Sequence, residues 1–424
     1  MKQIKEIYQA FLNSTGVSTD TRQLEKDNIF FALRGENFDG NKFASSALDR
    51  GVSLAIIDNE DFYSKGCILV DDCLKTLQEL ARYHRARLDI PVIGLTGTNG
   101  KTTTKELIHL VLSKKYKCHA TTGNLNNHIG VPLSILGIKD DIEIAIIEMG
   151  ANHQGEIALL SEIAMPTHGL ITNIGKAHLE GFGGFEGVIR AKTELYTYLE
   201  DHQGISLVNY DDPLLMKLSS SMNKLSYGSN DEADTRGNIL ASIPFLSIEW
   251  GGLQIDTQLY GDYNFDNIMA AIALGEMFKV VPTDVLEAIC GFVPDNSRSQ
   301  LLKSKSNQIY LDAYNANPSS MLASIQNFEK QDSNSKVLIL GDMLELGESS
   351  LAEHKNIIEA VKDKFNTVLL VGPEFMRTGS TPGIRFFANT DTASDWLKDN
   401  PLKDSYILVK GSRGIALEKL LDLL

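Results

Sequence analysis

Apolar positions along the chain fall into two alternating patterns. Compact apolar runs at 29–33, 53–58, 67–70, 92–95, 142–147, 169–172, 205–208, 308–311, 336–340, 367–371 and 406–409 have the length and composition of buried strands. Between them the apolar positions recur every three to four residues, as in Ile4, Ile7, Tyr8, Phe11 and Leu12, at 42–49, and in Leu107, Ile108, Val111 and Leu112. These stretches read as helices packed by one face. Strand alternating with helix predicts an α/β chain with mostly parallel sheets, covered on both faces, and sites at the carboxyl ends of the strands. A β-rich excursion at 245–260 precedes an alanine-rich helical stretch, GDYNFDNIMAAIALGEMF.

At 424 residues the chain exceeds what one core holds, and a hydrophobic content of 43% suffices for several. We expect three domains: a small α/β unit at 1–88, a central unit with a mostly parallel sheet at 89–296, and a Rossmann-like open sheet at 297–424. The third has no G-x-G-x-x-G behind a strand, so it receives no dinucleotide site. A formal net charge of −15 excludes nucleic acid as the main partner, because a phosphate backbone requires basic surface. Cys67, Cys73, Cys118 and Cys290 lack metal-site spacing and read as reduced thiols. The opening MKQIKEIYQAFLNS carries no leader-like apolar stretch, and no apolar run reaches bilayer length. A cytoplasmic protein without membrane insertion is expected.

The sharpest chemical signal is PVIGLTGTNGKTTT at 91–104, an apolar strand, a glycine-rich turn and the start of a helix. A polyphosphate demands these residue types. Gly97 and Gly100 let backbone N–H groups approach its oxygens, Lys101 supplies a point charge, Thr102 offers a hydroxyl to Mg²⁺, and the helix N-terminus is itself an anion site. Leu95 stands where the general G-x-x-x-x-G-K-[ST] pattern has its first glycine, which marks a subtype.

Further signals lie at strand ends, on helices and in loops. Glu148 closes the strand IEIAIIE, where a carboxylate needs either a cation such as Mg²⁺ or a salt bridge. His178 lies in the glycine-rich loop GKAHLEGFGG, and Lys192 lies on the helix carrying AKTEL; alone, each reads equally as structural. Asn264 and Asn267 share one helical face and suit either a cap or the hydrogen-bonding edge of adenine. In the first domain Arg22 and Arg34 suit a phosphate held bidentately or an ordinary charged surface. LDAYNANPSSM, LGDMLELGE and VKGSRG each follow a strand of the third domain and face its rim.

Together these motifs resemble the Mur ligase family of ATP-dependent amide-forming enzymes of bacterial cell-wall precursor synthesis, over nearly the whole chain. TGTNGKTTT, GNLNNHIGVPLS, EMGANHQGEI, ITNIGKAHLEGFG and AKTEL are similar to its central domain, and DAYNANPSSM, LGDMLELGE and KGSR to its C-terminal domain. YNANPSSM and GANHQGEI are closest to the branch that adds D-alanyl-D-alanine to UDP-MurNAc-tripeptide. The resemblance implies the following roles. Gly97, Thr98, Asn99, Gly100, Lys101, Thr102 and Thr103 hold ATP phosphates, Asn267 contacts adenine, Asp312 the ribose, and Arg298 a phosphate. Thr102 and Glu148 bind one Mg²⁺; His178 and a carbamylated Lys192 serve a second; Lys101, His178 and Lys192 are catalytic. Thr21, Arg22, Arg34 and Gly35 contact the uridine nucleotide, making the first domain a UDP-substrate unit, and the third domain takes the incoming dipeptide. Tyr263 replaces a histidine usual before the adenine-binding asparagines, and Leu311-Asp312 replaces paired aspartates.

The implied reaction gives ADP and phosphate through an acyl phosphate, by a monomer. Sibling ligases are the alternative, adding the third residue to the dipeptide precursor or glutamate to folate. The diaminopimelate-adding sibling would carry a D-N-P-R-like motif where YNANPSSM stands. A nucleotide-binding module without catalysis would lack Glu148, His178 and Lys192.

Overall fold

The structure is a computed structural model that describes residues 2–294, 299–304, 306–333 and 335–424. Arg298, the expected phosphate contact, and the 296/297 boundary lie outside the described residues. Three α/β domains follow one another along the chain, each around its own main sheet.

The first domain holds four short parallel strands, ordered Val17–Ser18, Ile29–Phe31, Leu54–Ile57 and Cys67–Leu69. The amphipathic helices Lys2–Leu12 and Cys73–Arg85 pack together in its core. Asp72 caps the second of these helices by accepting from the Lys75 N–H. The helical reading of 42–49 divides into a single turn, Gly40–Phe43, and a helix, Ala44–Asp49.

The second domain carries nine strands. Six run parallel from Cys118–Ala120 at one edge through Ile144–Glu148, Val92–Thr96, His168–Ile171 and Ile205–Asn209 to Lys224–Gly228. Thr235–Ala241 continues them in parallel, and Ser247–Trp250 and Leu253–Asp256 add an antiparallel hairpin. The β-rich excursion therefore extends the central sheet. Strands Val92–Thr96, Ile144–Glu148 and His168–Ile171 are buried on both faces, because the helices Lys101–Ser113 and Phe265–Met277 cover one side and Glu156–Ala164 and Phe185–Asp201 the other. Register sets Leu95 opposite Glu148 and Leu170 opposite Leu95, so these three strands end together.

The third domain is a six-stranded sheet ordered Gln300–Lys303, Gln308–Asp312, Tyr406–Lys410, Lys336–Gly341, Thr367–Val371 and Ile384–Phe387. Only Gln300–Lys303 runs antiparallel to its neighbour. Its strands Gln308–Asp312, Lys336–Gly341 and Tyr406–Lys410 aim their carboxyl ends at those of the central sheet, and the space between is a cleft.

The two junctions of the central domain are built differently. On the first-domain side, buried Arg85 donates to the carbonyls of Ala164 at 2.9 Å, Met165 at 3.0 Å and Leu88 at 2.7 Å, and His84 Nε2 lies 3.1 Å from the Ile138 carbonyl. One apolar core runs through that junction from Leu77 and Leu80 to Val131, Ile135 and Ile138. On the third-domain side, side chains meet across the cleft: Lys176 with Glu353 at 2.7 Å, Asn317 Nδ2 with Asn99 Oδ1 at 2.7 Å, and His178 with Glu345.

Candidate active site

The cleft has a volume of about 650 Å³ and is lined by both its domains. Its floor is the loop from Gly97 to Thr103, between strand Val92–Thr96 and helix Lys101–Ser113. Gly97 and Gly100 have φ of +146° and +79°, outside the range comfortable for a side chain. A β-carbon on Gly97 would sit 2.0 Å from Thr172 Oγ1, so the loop can pass only with glycine there. The end of strand His168–Ile171 braces it: Thr98 N–H donates to Asn173 O at 2.9 Å, Asn99 N–H to Asn173 Oδ1 at 3.0 Å, and Thr172 Oγ to Asn99 O at 2.6 Å. Lys101 Nζ folds back on the loop carbonyls of Gly97 and Thr98 at 2.8 and 3.2 Å. The loop is thus preformed, its helix N-terminus open to the cleft.

Glu148 is 2% exposed. Its Oε1 accepts from Asn126 Nδ2 at 2.8 Å, whereas its Oε2 is buried with no hydrogen-bond partner. A carboxylate oxygen left thus in a cleft also lined by Thr102 fits a hard cation whose remaining ligands come from water and a bound phosphate. Among the described residues, no group of three or more His, Cys, Asp and Glu side chains forms a ready-made metal cage.

Lys192 projects from helix Phe185–Asp201 into the same cleft, 3% exposed, with Nζ 5.3 Å from the centre of the Phe182 ring. Burial first, and the neighbouring charge of Lys101 second, push its pKa down to about 7. A large neutral-amine fraction at physiological pH suits reaction with CO₂. His178 adopts a left-handed conformation (φ +49°) at the start of the short helix Leu179–Phe182. Burial lowers its pKa, Glu345 opposes that shift, and Lys101 and Lys192 reinforce it.

The third domain supplies the opposite wall. Asp312 lines the cleft with Oδ2 held by Lys410 Nζ at 2.5 Å and Ser324 Oγ at 3.2 Å. Asn317 caps helix Pro318–Glu329 and reaches Asn99 of the loop. Asn267 lines the cleft from helix Phe265–Met277, behind Gly100.

Of the residues singled out in the sequence, Gly97 to Thr103, Glu148, His178, Lys192, Asn267 and Asp312 all line this one cleft. Thr21, Arg22, Arg34 and Gly35 lie in the first domain, outside its lining. Arg22 pairs with Asp20 at 2.7 Å and is largely exposed; Arg34 pairs with Asp58 at 2.7 Å in the two-residue strand that also holds Gly35. Sequence reasoning missed Asn126, Asn317, Lys410 and Glu345 as individual residues. Each lies in a motif already singled out, and a strand-end lysine in VKGSRG opposite a strand-end aspartate was the signal available for Lys410.

Comparison with known proteins covers the whole architecture. Family models match in chain order at 13–87 (Mur ligase family, catalytic domain), 95–275 (Mur ligase middle domain) and 297–413 (Mur ligase, glutamate ligase domain). A UDP-N-acetylmuramoyl-tripeptide–D-alanyl-D-alanine ligase of Bacillus subtilis (strain 168) is 38% identical over 96% of this chain and 92% of its own. A crystal structure of MurF from Acinetobacter baumannii superposes with a TM-score of 0.88 at 29% identity, covering 99% of this chain and 97% of its own. MurF ligase from Thermotoga maritima, solved in complex with ADP, superposes with a TM-score of 0.86 at 27% identity, covering 97% of each chain.

Proposed function

The chain belongs to the Mur ligase family, and we infer that it is the ATP-dependent ligase that joins D-alanyl-D-alanine to UDP-MurNAc-tripeptide in peptidoglycan precursor synthesis. The observation that carries this reading is the convergence of a preformed phosphate loop, a cation-ready carboxylate and the strand ends of two domains on one cleft, in a chain that matches such ligases end to end.

In this reading the loop N–H groups from Gly97 to Thr103 and the Lys101 ammonium take the β- and γ-phosphates of ATP. The terminal carboxylate of the tripeptide attacks the γ-phosphorus, ADP leaves, and the carboxyl group becomes an acyl phosphate. The amine of D-alanyl-D-alanine then attacks that carbonyl and expels phosphate, forming the amide. The first step brings two anions together and the second develops negative charge on the carbonyl oxygen and the departing phosphate, so the work of the protein is to hold the groups in line and offset that charge. Thr102 and Glu148 would hold one Mg²⁺, and His178 with a carbamylated Lys192 a second; bound there, the ions supply positive charge to phosphate and carboxylate oxygens. Asn267 adjoins the adenine end of the cleft, Asp312 the ribose, and the backbone and side chains around Thr21, Arg22, Arg34 and Gly35 receive the uridine nucleotide. The division of labour is 1–88 for the UDP-substrate, 89–296 for ATP and 297–424 for the dipeptide. In this reading the protein acts as a monomer. No helix among the described residues is long and apolar enough to cross a membrane, and dependence on ATP and a UDP-linked substrate assigns the work to the cytoplasm.

The test is phosphate release with UDP-MurNAc-tripeptide plus D-alanyl-D-alanine, against the dipeptide precursor plus diaminopimelate. Turnover is expected only with the first pair, and turnover only with the second would overturn the assignment.

A further inference from the structure

The side-chain amide of Asn267 is engaged from inside the protein. Its Oδ1 accepts the Thr104 hydroxyl at 2.9 Å, its Nδ2 donates to Asn264 Oδ1 at 2.8 Å, and Asn264 Nδ2 donates in turn to the Tyr260 carbonyl at 2.8 Å. All three side chains are buried, and Thr104 is absent from the lining of the cleft. The far end fixes the direction of this chain. A backbone carbonyl only accepts, so Asn264 must present its N–H₂ to Tyr260 and its oxygen to Asn267, and Asn267 must then turn its own oxygen to Thr104. Neither amide can flip without setting oxygen against oxygen.

What the chain grips is the turn of the phosphate loop. Thr104 N–H bonds the Gly100 carbonyl at 2.8 Å, so the gripped residue lies one helical turn from the glycine at which loop becomes helix. A β-carbon on Gly100 would fall 2.5 Å from Asn267 Oδ1, so the same amide also abuts the turn itself. A helical threonine ordinarily returns its hydroxyl to a carbonyl in the preceding turn. Thr104 donates it to another helix instead.

We propose that Thr104, Asn267 and Asn264 form a positioning device for the phosphate loop. The chain holds Gly100 and the first turn of helix Lys101–Ser113 at the height where the loop N–H groups meet a polyphosphate, and Asn267 reaches the loop through this contact. The inference rests on the reading of Gly97 to Thr103 as a polyphosphate cradle.

Thr104→Val removes the hydroxyl at nearly constant shape, and Thr104→Ser keeps it. Binding of ATP, of GTP and of inorganic tripolyphosphate, each with Mg²⁺, is measured by calorimetry, with the melting temperature of each variant read alongside. Thr104→Val is expected to weaken ATP and tripolyphosphate by the same factor, about tenfold. Thr104→Ser is expected to bind both as the wild type does, and all three proteins to keep the same preference for ATP over GTP. Should Thr104→Val not fold, Asn264→Asp breaks the chain at its far end, because a carboxylate cannot donate to Tyr260, and the same parallel loss is expected. Weakened ATP with unchanged tripolyphosphate and a lost preference over GTP would overturn the proposal, and so would no change in either ligand. A wild type that binds neither ATP nor tripolyphosphate would instead overturn the cradle reading.

Discussion

The two junctions flanking the central domain differ in what is buried between them, although each also has a contact of the other kind, Arg82 with Glu162 at the first and the Lys176 N–H with Ser319 Oγ at the second. At the first, Arg85 is buried and bonds four backbone carbonyls, those of Ala164, Met165, Leu88 and Ile90, and a continuous apolar core runs past it. At the second, Lys176 meets Glu353, His178 meets Glu345 and Asn99 meets Asn317, all side chain to side chain around a cavity. Backbone carbonyls of packed elements cannot move away, and a buried guanidinium separated from them would be left uncompensated. Partly exposed side-chain pairs exchange for water at little cost. The first junction is therefore a fixed joint and the second one that can part, which is what an enzyme must have if it admits three substrates and then excludes water from an acyl phosphate.

If the chemistry resides on the fixed body, the largest effects should come from its cleft residues. Lys101→Ala is expected to lower turnover on the order of 10³-fold or more with an unchanged melting temperature, because it removes charge at the phosphates and little packing. A folded Lys101→Ala protein with full ATP-dependent activity would remove the phosphate loop from the account. Lys192→Ala should be nearly inactive as well. Unlike the first variant, it should regain part of its rate when a short carboxylic acid is added to replace the lost carbamate, and wild-type activity should respond to bicarbonate. Wild-type turnover in Lys192→Ala would dismiss the carbamate.

Stability separates the joints more finely. Arg85→Ala leaves four carbonyls without their donor and opens a cavity, and is expected to cost roughly 3 kcal/mol in denaturant unfolding. Lys176→Ala at the other joint should cost about 1 kcal/mol or less, and show instead as a raised KM. Equal losses from the two would erase the distinction drawn between them.

Much of this was legible in the sequence. The loop from Gly97 to Lys101 announces itself because glycine, lysine and threonine at that spacing have few other uses, and the strands at 92–95 and 367–371 carry no polar residue beyond the leading Thr367. Cys118–Ala120, Gln300–Lys303 and Ile384–Phe387 were not legible: each is an edge strand, three or four residues long and only partly buried, so hydrophobicity marks neither its faces nor its ends. The junctions were hidden for another reason. Arg85 is a basic residue at a helix end, and nothing local distinguishes it from a surface arginine; its carbonyl partners Ala164 and Met165 lie some eighty positions on. Asn267 was visible as a polar residue on an apolar helix, but its engagement by Thr104 depends on how two helices 163 positions apart cross.

The comparison is tested most directly by small-angle scattering of the wild-type protein, alone and with a non-hydrolysable ATP analogue plus UDP-MurNAc-tripeptide. A parting second joint predicts a different radius of gyration with ligands, reproduced by moving 297–424 as one body while the first two domains stay together. Identical scattering with and without ligands, or a change that requires the first domain to move away from the central one, would contradict it.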